Sequence, residues 1–235
     1  DLVRRLRADA SGAVAGTGLS AHVGGGPAQI ADMVAENARA TPLVIGVVLA
    51  ASLLLLWRAF RSVLLPVKAI AMNLLSVGGA FGAMVLVFQH GHGARLLGVD
   101  RVGFIQVMVP LLAFALVFGL SMDYEVFMLT RMREVWLATG DNHLAVRTGT
   151  ARTAPVITAA AAIMIVIFGS FMFTRVVDLK QLGFMLAVAV VIDATVVRLL
   201  LVPALMHLMG RWNWWQPRWR ALAARCCRAP RGRAG

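Results

Sequence analysis

Long apolar runs alternate with short clusters of arginine along this chain, and the alternation predicts its elements. Thr41 to Trp57 is a first uncharged run, closed by Arg58 and Arg61. Val63 to Gln89 is a second, with Lys68 near its start as the single charge. Phe104 to Thr130, Thr153 to Phe173 and Leu182 to Met209 follow. A helix rises about 1.5 Å per residue, so runs of about 17 residues or more can cross a hydrocarbon core of about 30 Å. The pattern therefore predicts an all-α membrane fold, a bundle of five transmembrane helices with spans at about 41–57, 63–89, 104–130, 153–173 and 182–209. Pro42 suits the first turn of the first span. Gly78, Gly79 and Gly82 are small residues that let a neighbouring helix approach the second.

The polar segments complete the layout. Residues 1–40 are glycine-rich in places; Leu19 to Val23 reads as a short strand ended by Gly24-Gly25-Gly26-Pro27, and Ala28 to Arg39 as a helix. This is expected to be a short α+β remnant of an extracytoplasmic domain. No Lys-Ser/Thr follows the glycines, so they make a turn and not a phosphate loop. Arg131 to Arg152 is a polar connector with a turn at Thr139 to Asn142, flanked by short surface helices. After the fifth span, Arg211-Trp-Asn-Trp-Trp215 reads as an aromatic belt. Three regions result: 1–40, the membrane domain 41–215, and a basic tail 216–235.

Composition agrees with a membrane protein: 60% of the 235 residues are hydrophobic and only 14% are charged. The net charge of +12 comes from residues that flank spans and do not line a soluble face, which argues against nucleic acid as a partner. Arg58, Arg61, Lys68, Arg131, Arg133, Arg147, Arg152, Arg211 and the tail fall on one side; Arg95, Arg101, Arg175 and Lys180 fall on the other. The positive-inside rule puts the first group, and with it the C-terminus, in the cytoplasm, and the N-terminus outside. A multi-pass protein of the cell membrane is expected. Cys226 and Cys227 are adjacent in the basic tail and offer neither a disulfide framework nor a metal site; incidental surface cysteines are favoured over acylated ones. No hydrolytic, metal or redox motif is present, so the chain is not expected to be an enzyme and no cofactor is implied. His90 and His92 are read as loop histidines and His207 as interfacial.

Against this background Asp123, Tyr124 and Glu125 stand out. Sixteen uncharged residues (Val107 to Met122) precede them, and Asp123 lies about 12 Å along the helix from Arg131. A carboxylate at that depth costs several kcal/mol unless paired, hydrated or protonated, and intramembrane acids mark proton or ion pathways. Tyr124, the one tyrosine of the chain, can hydrogen-bond it in either protonation state. Glu125 sits about 100° round the helix and nearer its end, and is read as an interfacial or packing acid in preference to a proton carrier. Asp193 and Arg198 in the fifth span are five apart, which is not the spacing at which helical neighbours pair. They are expected to bridge to different helices, as a structural ion pair or as a coupling element; the spacing does not choose. Gly119, Gly169 and Gly183 are read as packing contacts.

Phe118-Gly-Leu-Ser-Met-Asp-Tyr-Glu-Val-Phe127 closely resembles the MmpL-type transporters of the resistance-nodulation-division superfamily, found in actinobacteria. Thr139-Gly-Asp-Asn142, Phe168-Gly-Ser-Phe171, Asp193-Ala-Thr-Val-Val-Arg198 and Leu201-Val-Pro-Ala204 fit in order, as do Pro66-Val-Lys-Ala69 and Asn73-Leu-Leu-Ser76 upstream. The resemblance covers roughly residues 20 to 220. It implies twelve spans in two halves for a whole family member, with these five as the last ones, and a longer protein than the chain that starts at Asp1. It implies that Asp123 and Tyr124 belong to a proton relay completed by an Asp-Tyr pair from the N-terminal half. Implied partners are that half, the lipid bilayer and a lipidic or hydrophobic substrate; a homo-oligomer is an open option.

The expected function is proton-motive-force-driven export of lipids, glycolipids or other hydrophobic compounds. The alternative is a non-transporting membrane scaffold or truncated pseudogene product, since the chain alone lacks the second Asp-Tyr pair.

Overall fold

A computed structural model describes residues 2–60, 62, 64–93 and 103–214. Arg61, Arg95, Asp100, Arg101, Trp215, Cys226, Cys227 and the tail 216–235 lie outside the described residues. The α-helices are, in order, α1 (Leu2–Ala13), α2 (Gly26–Phe60), α3 (Leu64–Met84), α4 (Met108–Thr139), α5 (Asn142–Ser170), α6 (Val177–Ile192) and α7 (Val202–Met209). They form five helical stretches long and apolar enough to cross a membrane, the first of them α2. α3 runs on into a π-helical turn, Val85–Gln89, and α6 and α7 are joined by a π-helical segment, Asp193–Leu201, into one span of 33 residues.

The spans stand where the uncharged runs lie, but the helices overrun them. α2 is continuous from Gly26, so Pro42 sits in its interior and not in a first turn. A proline there removes one backbone bond. Around it Thr41 Oγ1 donates to the Asn37 carbonyl (2.6 Å), and Asn37 Nδ2 donates to the Val107 carbonyl ahead of α4 (2.6 Å). The connector 131–152 holds no separate surface helices: α4 and α5 extend through it. Arg131 and Glu134 pair at 2.8 Å along α4, which ends only where Gly140 adopts φ 69° and its N–H bonds the Trp136 carbonyl. Asp141 then caps α5, its carboxylate accepting from the N–H groups of His143 (2.8 Å) and Leu144 (3.3 Å).

No strand occurs among the described residues. Leu19–Val23 is irregular, because a lone extended segment has no neighbour to complete a ladder. α1, which the sequence pattern did not suggest, is held to α2 by a two-pronged ion pair from Arg7 to Asp32 (2.5 and 2.6 Å). The expected α+β remnant is therefore helix and irregular chain.

α6 is the most buried span and packs against α3, α4 and α5. Gly183 explains one of these contacts. A Cβ there would fall 2.6 Å from both the Phe168 carbonyl and Phe171 Cβ. Gly149 does the same for α5 against Met132, and Gly79 for α3 against Ile192. Gly78, Gly82 and Gly119 face open space. Gln181 is fully buried on α6: it accepts from the Gln106 N–H and donates to the Phe104 carbonyl, both at 2.9 Å, which ties the approach to α4 onto α6. Side chains such as Leu54, Ile163, Val166 and Leu200 point outward, the disposition of helices solvated by lipid.

Candidate functional site: an ion-pair cluster at mid-span

The polar residues of α4 fall on different faces. Ser121 and Glu125, one turn apart, are buried; Tyr124 is half-buried; Asp123 is exposed on the outside of the bundle. Residues two apart are about 200° round a helix, so α4 carries one acid inward and one outward.

Ser121 meets the π-helical segment. Asp193 and Arg198 pair directly with each other, correcting the expectation that they reach different helices. Arg198 donates to Asp193 Oδ2 through Nε (2.8 Å) and approaches it through Nη2 (2.6 Å). In an α-helix a residue five positions on lies about 140° away. In a π-helix, whose backbone bonds run between residues five apart, it returns to nearly the same face. Pro203 supplies a reason for the wide turn, because it lacks the N–H that the Leu199 carbonyl would take and its ring crowds that carbonyl.

The pair is anchored to α4 on both sides. Ser121 Oγ donates to the same Asp193 oxygen (3.0 Å), and Arg198 Nη2 donates to the Ser121 carbonyl (2.6 Å). The guanidinium lies 5.1 Å over the Tyr124 ring, within range for a cation–π contact. Asp193 and Arg198 are only 6% and 3% exposed, so the pair is shut off from water. Asp193 Oδ1 and Arg198 Nη1 make no hydrogen bond to the protein, and a small cavity of about 10 Å³ lies beside them, lined by Ser121, Tyr124, Met164 and the pair itself. The structure thus joins Tyr124, Asp193 and Arg198 in one cluster and leaves Asp123 on the outer surface beside it.

A second polar group was not expected from the sequence. Glu125 is 6% exposed, deep in the bundle and not at an interface. It shares a small cavity of about 10 Å³ with Lys68 of α3, walled by Leu65, Met72, Leu129 and Met206. Lys68 Nζ donates to Asn213 Oδ1 and lies 3.4 Å from Met206 Sδ. Asn213 is itself sealed in: its amide donates to the carbonyls of Met206 (2.7 Å) and Gly210 (3.0 Å), and its own carbonyl accepts from Ser62 (3.2 Å). Next to it Trp214 stacks on Trp136 at 4.9 Å and donates from Nε1 to Asn142 Oδ1 (2.9 Å). Trp214 is therefore a core residue, not part of a lipid-facing belt, whereas Trp212 is 69% exposed. The one signal for this group in the sequence is Lys68, a lysine four residues inside a span.

His207 is not isolated at its end of the bundle: its Nδ1 lies 2.9 Å from that of His143. His90 and His92 are exposed, their rings 6.3 Å apart. Among the described residues no group of three His, Cys, Asp or Glu could hold a metal ion.

The chain matches the MMPL family over residues 1–233. It is 48% identical over 199 residues to the heme uptake protein MmpL11 of Mycobacterium tuberculosis, covering 85% of this chain and 20% of that protein. It is 44% identical over 214 residues to the mycolic acid-containing lipids exporter MmpL11 of Mycolicibacterium smegmatis, covering 91% and 22%. It is 41% identical over 202 residues to the trehalose monomycolate exporter MmpL3 of Mycobacterium tuberculosis, covering 86% and 21%. The chain spans about a fifth of the length of these relatives. Five helices of membrane-crossing length and a match over almost the whole chain agree: this chain is a multi-pass membrane protein of the MMPL family, the MmpL-type transporters of the resistance-nodulation-division superfamily.

Proposed function

We propose that this chain is the C-terminal membrane portion of a proton-motive-force-driven exporter of lipids or other hydrophobic compounds. Asp123 and Tyr124 are its contribution to the proton relay, and the Asp193–Arg198 pair couples that relay to helix movement. The observation that carries the reading is the junction at α4. Tyr124 lies against the buried Arg198–Asp193 pair, while Asp123, the adjacent residue, faces out of the bundle at the same depth. An acid facing outward from an apolar span needs a polar partner, and the N-terminal half of the transporter supplies one in this reading. Two of the relatives named above are lipid exporters, which supports a lipidic cargo; heme is the other cargo their names raise. The basic residues that flank the spans support a cytoplasmic C-terminus and an extracytoplasmic N-terminus. One charge crossing the membrane field supplies about 2.3 kcal/mol per 100 mV, enough to bias a two-state equilibrium roughly fiftyfold.

The test is to replace the matching segment of the Mycolicibacterium smegmatis lipids exporter with this chain and follow lipid export with and without a protonophore. Export that collapses with the proton gradient is the expected result. Export indifferent to the gradient sinks the proton-driven reading, and heme uptake without lipid export changes the cargo.

A further inference from the structure

The Lys68–Glu125 cavity is not used by the relay described above. We propose that Glu125 is a second proton-carrying group of this bundle, loaded from the Asn213–Trp214 end through Lys68 and one intervening water. The proposal rests on the proton-driven reading and extends it to a named path.

Three features separate this arrangement from a structural ion pair. A structural pair is locked by direct hydrogen bonds, as Arg198 and Asp193 are. Glu125 and Lys68 face one cavity, yet among the described residues Glu125 makes neither a hydrogen bond nor an ion pair, and the directed bond of Lys68 goes to Asn213. The cavity that both line has room for about one water molecule. The position also fits a path. Glu125 is about 9 Å along α4 from Arg131, and Lys68 lies in the second turn of α3, at the same end of the bundle. Lys68 is itself only half-buried at that end, beside the Asn213–Trp214 closure, so it stands between the surface and the buried acid.

The charged and titratable groups around Glu125 are Lys68 from α3, Asp193 and Arg198 from the π-helical segment, and Tyr124 beside it on α4. The last three belong to the mid-span cluster, so a proton on Glu125 alters the field in which Asp193 and Arg198 are paired. The transfer balances simply. An N–H bond of the Lys68 ammonium breaks as the bridging water takes its proton, and that water passes a proton to a Glu125 oxygen. The neutral amine then takes a proton from the aqueous end. The net event moves one proton from water to Glu125.

The test uses the exporter carrying this chain in place of its own segment, in lipid nanodiscs, and reads Glu125 itself, so it needs no transport. The carboxylic C=O stretch would be followed by infrared difference spectroscopy as pH is stepped. A titrating band that survives Asp123→Asn and disappears in Glu125→Gln is expected. Lys68→Met should slow its response to a pH jump at least about tenfold, and Lys68→Arg, which keeps the charge but does not release its proton, should leave the response slow. Melting curves in the same nanodiscs identify a variant that has failed to fold, in which case Glu125→Asp, expected to shift the band and keep it titrating, replaces Glu125→Gln. A spectrum unchanged by Glu125→Gln, or a response unaffected by Lys68→Met, overturns the proposal. Failure of export in Asp123→Asn would bear on the relay and leave this result untouched.

Discussion

Arg198 and Asp193, five residues apart on one helix, share a single carboxylate oxygen: Nε donates to it at 2.8 Å and Nη2 lies 2.6 Å from it. Both are nearly inaccessible, so neither has water to fall back on. Asp193→Leu alone, or Arg198→Leu alone, should therefore destabilise the bundle by about 3–5 kcal/mol, since each leaves a buried charge unpaired. The double variant Asp193→Leu/Arg198→Leu should recover most of that loss. Thermal melts of the four proteins in detergent give the comparison. If the pair couples proton movement to transport, the double variant should fold and still fail to export.

The glycines make a contrast that a stability measurement can read. Gly183→Ala forces a methyl group against the Phe168 backbone and Phe171, where a rigid carbonyl cannot yield, and should cost about 1–3 kcal/mol. Gly119→Ala meets nothing within 4 Å and should stay within about 0.5 kcal/mol of the parent. Equal effects at the two positions would show that α6 does not sit this closely on the turn after α5.

Much of this arrangement was legible in the sequence, and the rest was hidden for physical reasons. The five spans could be read because uncharged length is what a bilayer demands. Their ends could not, because Arg131, Arg133 and Glu134 are as content in a helix as in a connector, and only Gly140 stops α4. The pairing of Asp193 with Arg198 was missed because α-helical geometry separates residues five apart; the wide turn before Pro203 brings them together. For Glu125 an interfacial and a packing position both stayed open, and burial selects the second, because its distance from the end of the run is visible along the chain and its face is not. Lys68, 57 positions earlier in the numbering, gives no hint that the two share a cavity. Asp123 was recognised as the costly acid, but its outward direction is a property of the folded bundle.

Trp214 offers a separate check on how the Asn213 end is closed. Trp214→Phe keeps the stacking on Trp136 and removes the N–H that serves Asn142 Oδ1, leaving a buried acceptor unpaired at a cost of about 1–3 kcal/mol. Trp212→Phe, on an exposed ring, should change stability by less than about 0.5 kcal/mol. Unfolding followed by tryptophan fluorescence separates the two, and a larger loss at Trp212 would place the belt where the sequence first suggested it.

The outward acid decides the functional reading. In the exporter carrying this chain in place of its own segment, reconstituted in liposomes with a pH-sensitive dye, proton flux driven by an imposed pH gradient should fall at least about tenfold in Asp123→Asn. It should recover in part in Asp123→Glu, with lipid transport following both. Undiminished proton flux in Asp123→Asn would mean that protons pass this bundle without Asp123, and the relay would have to be placed elsewhere.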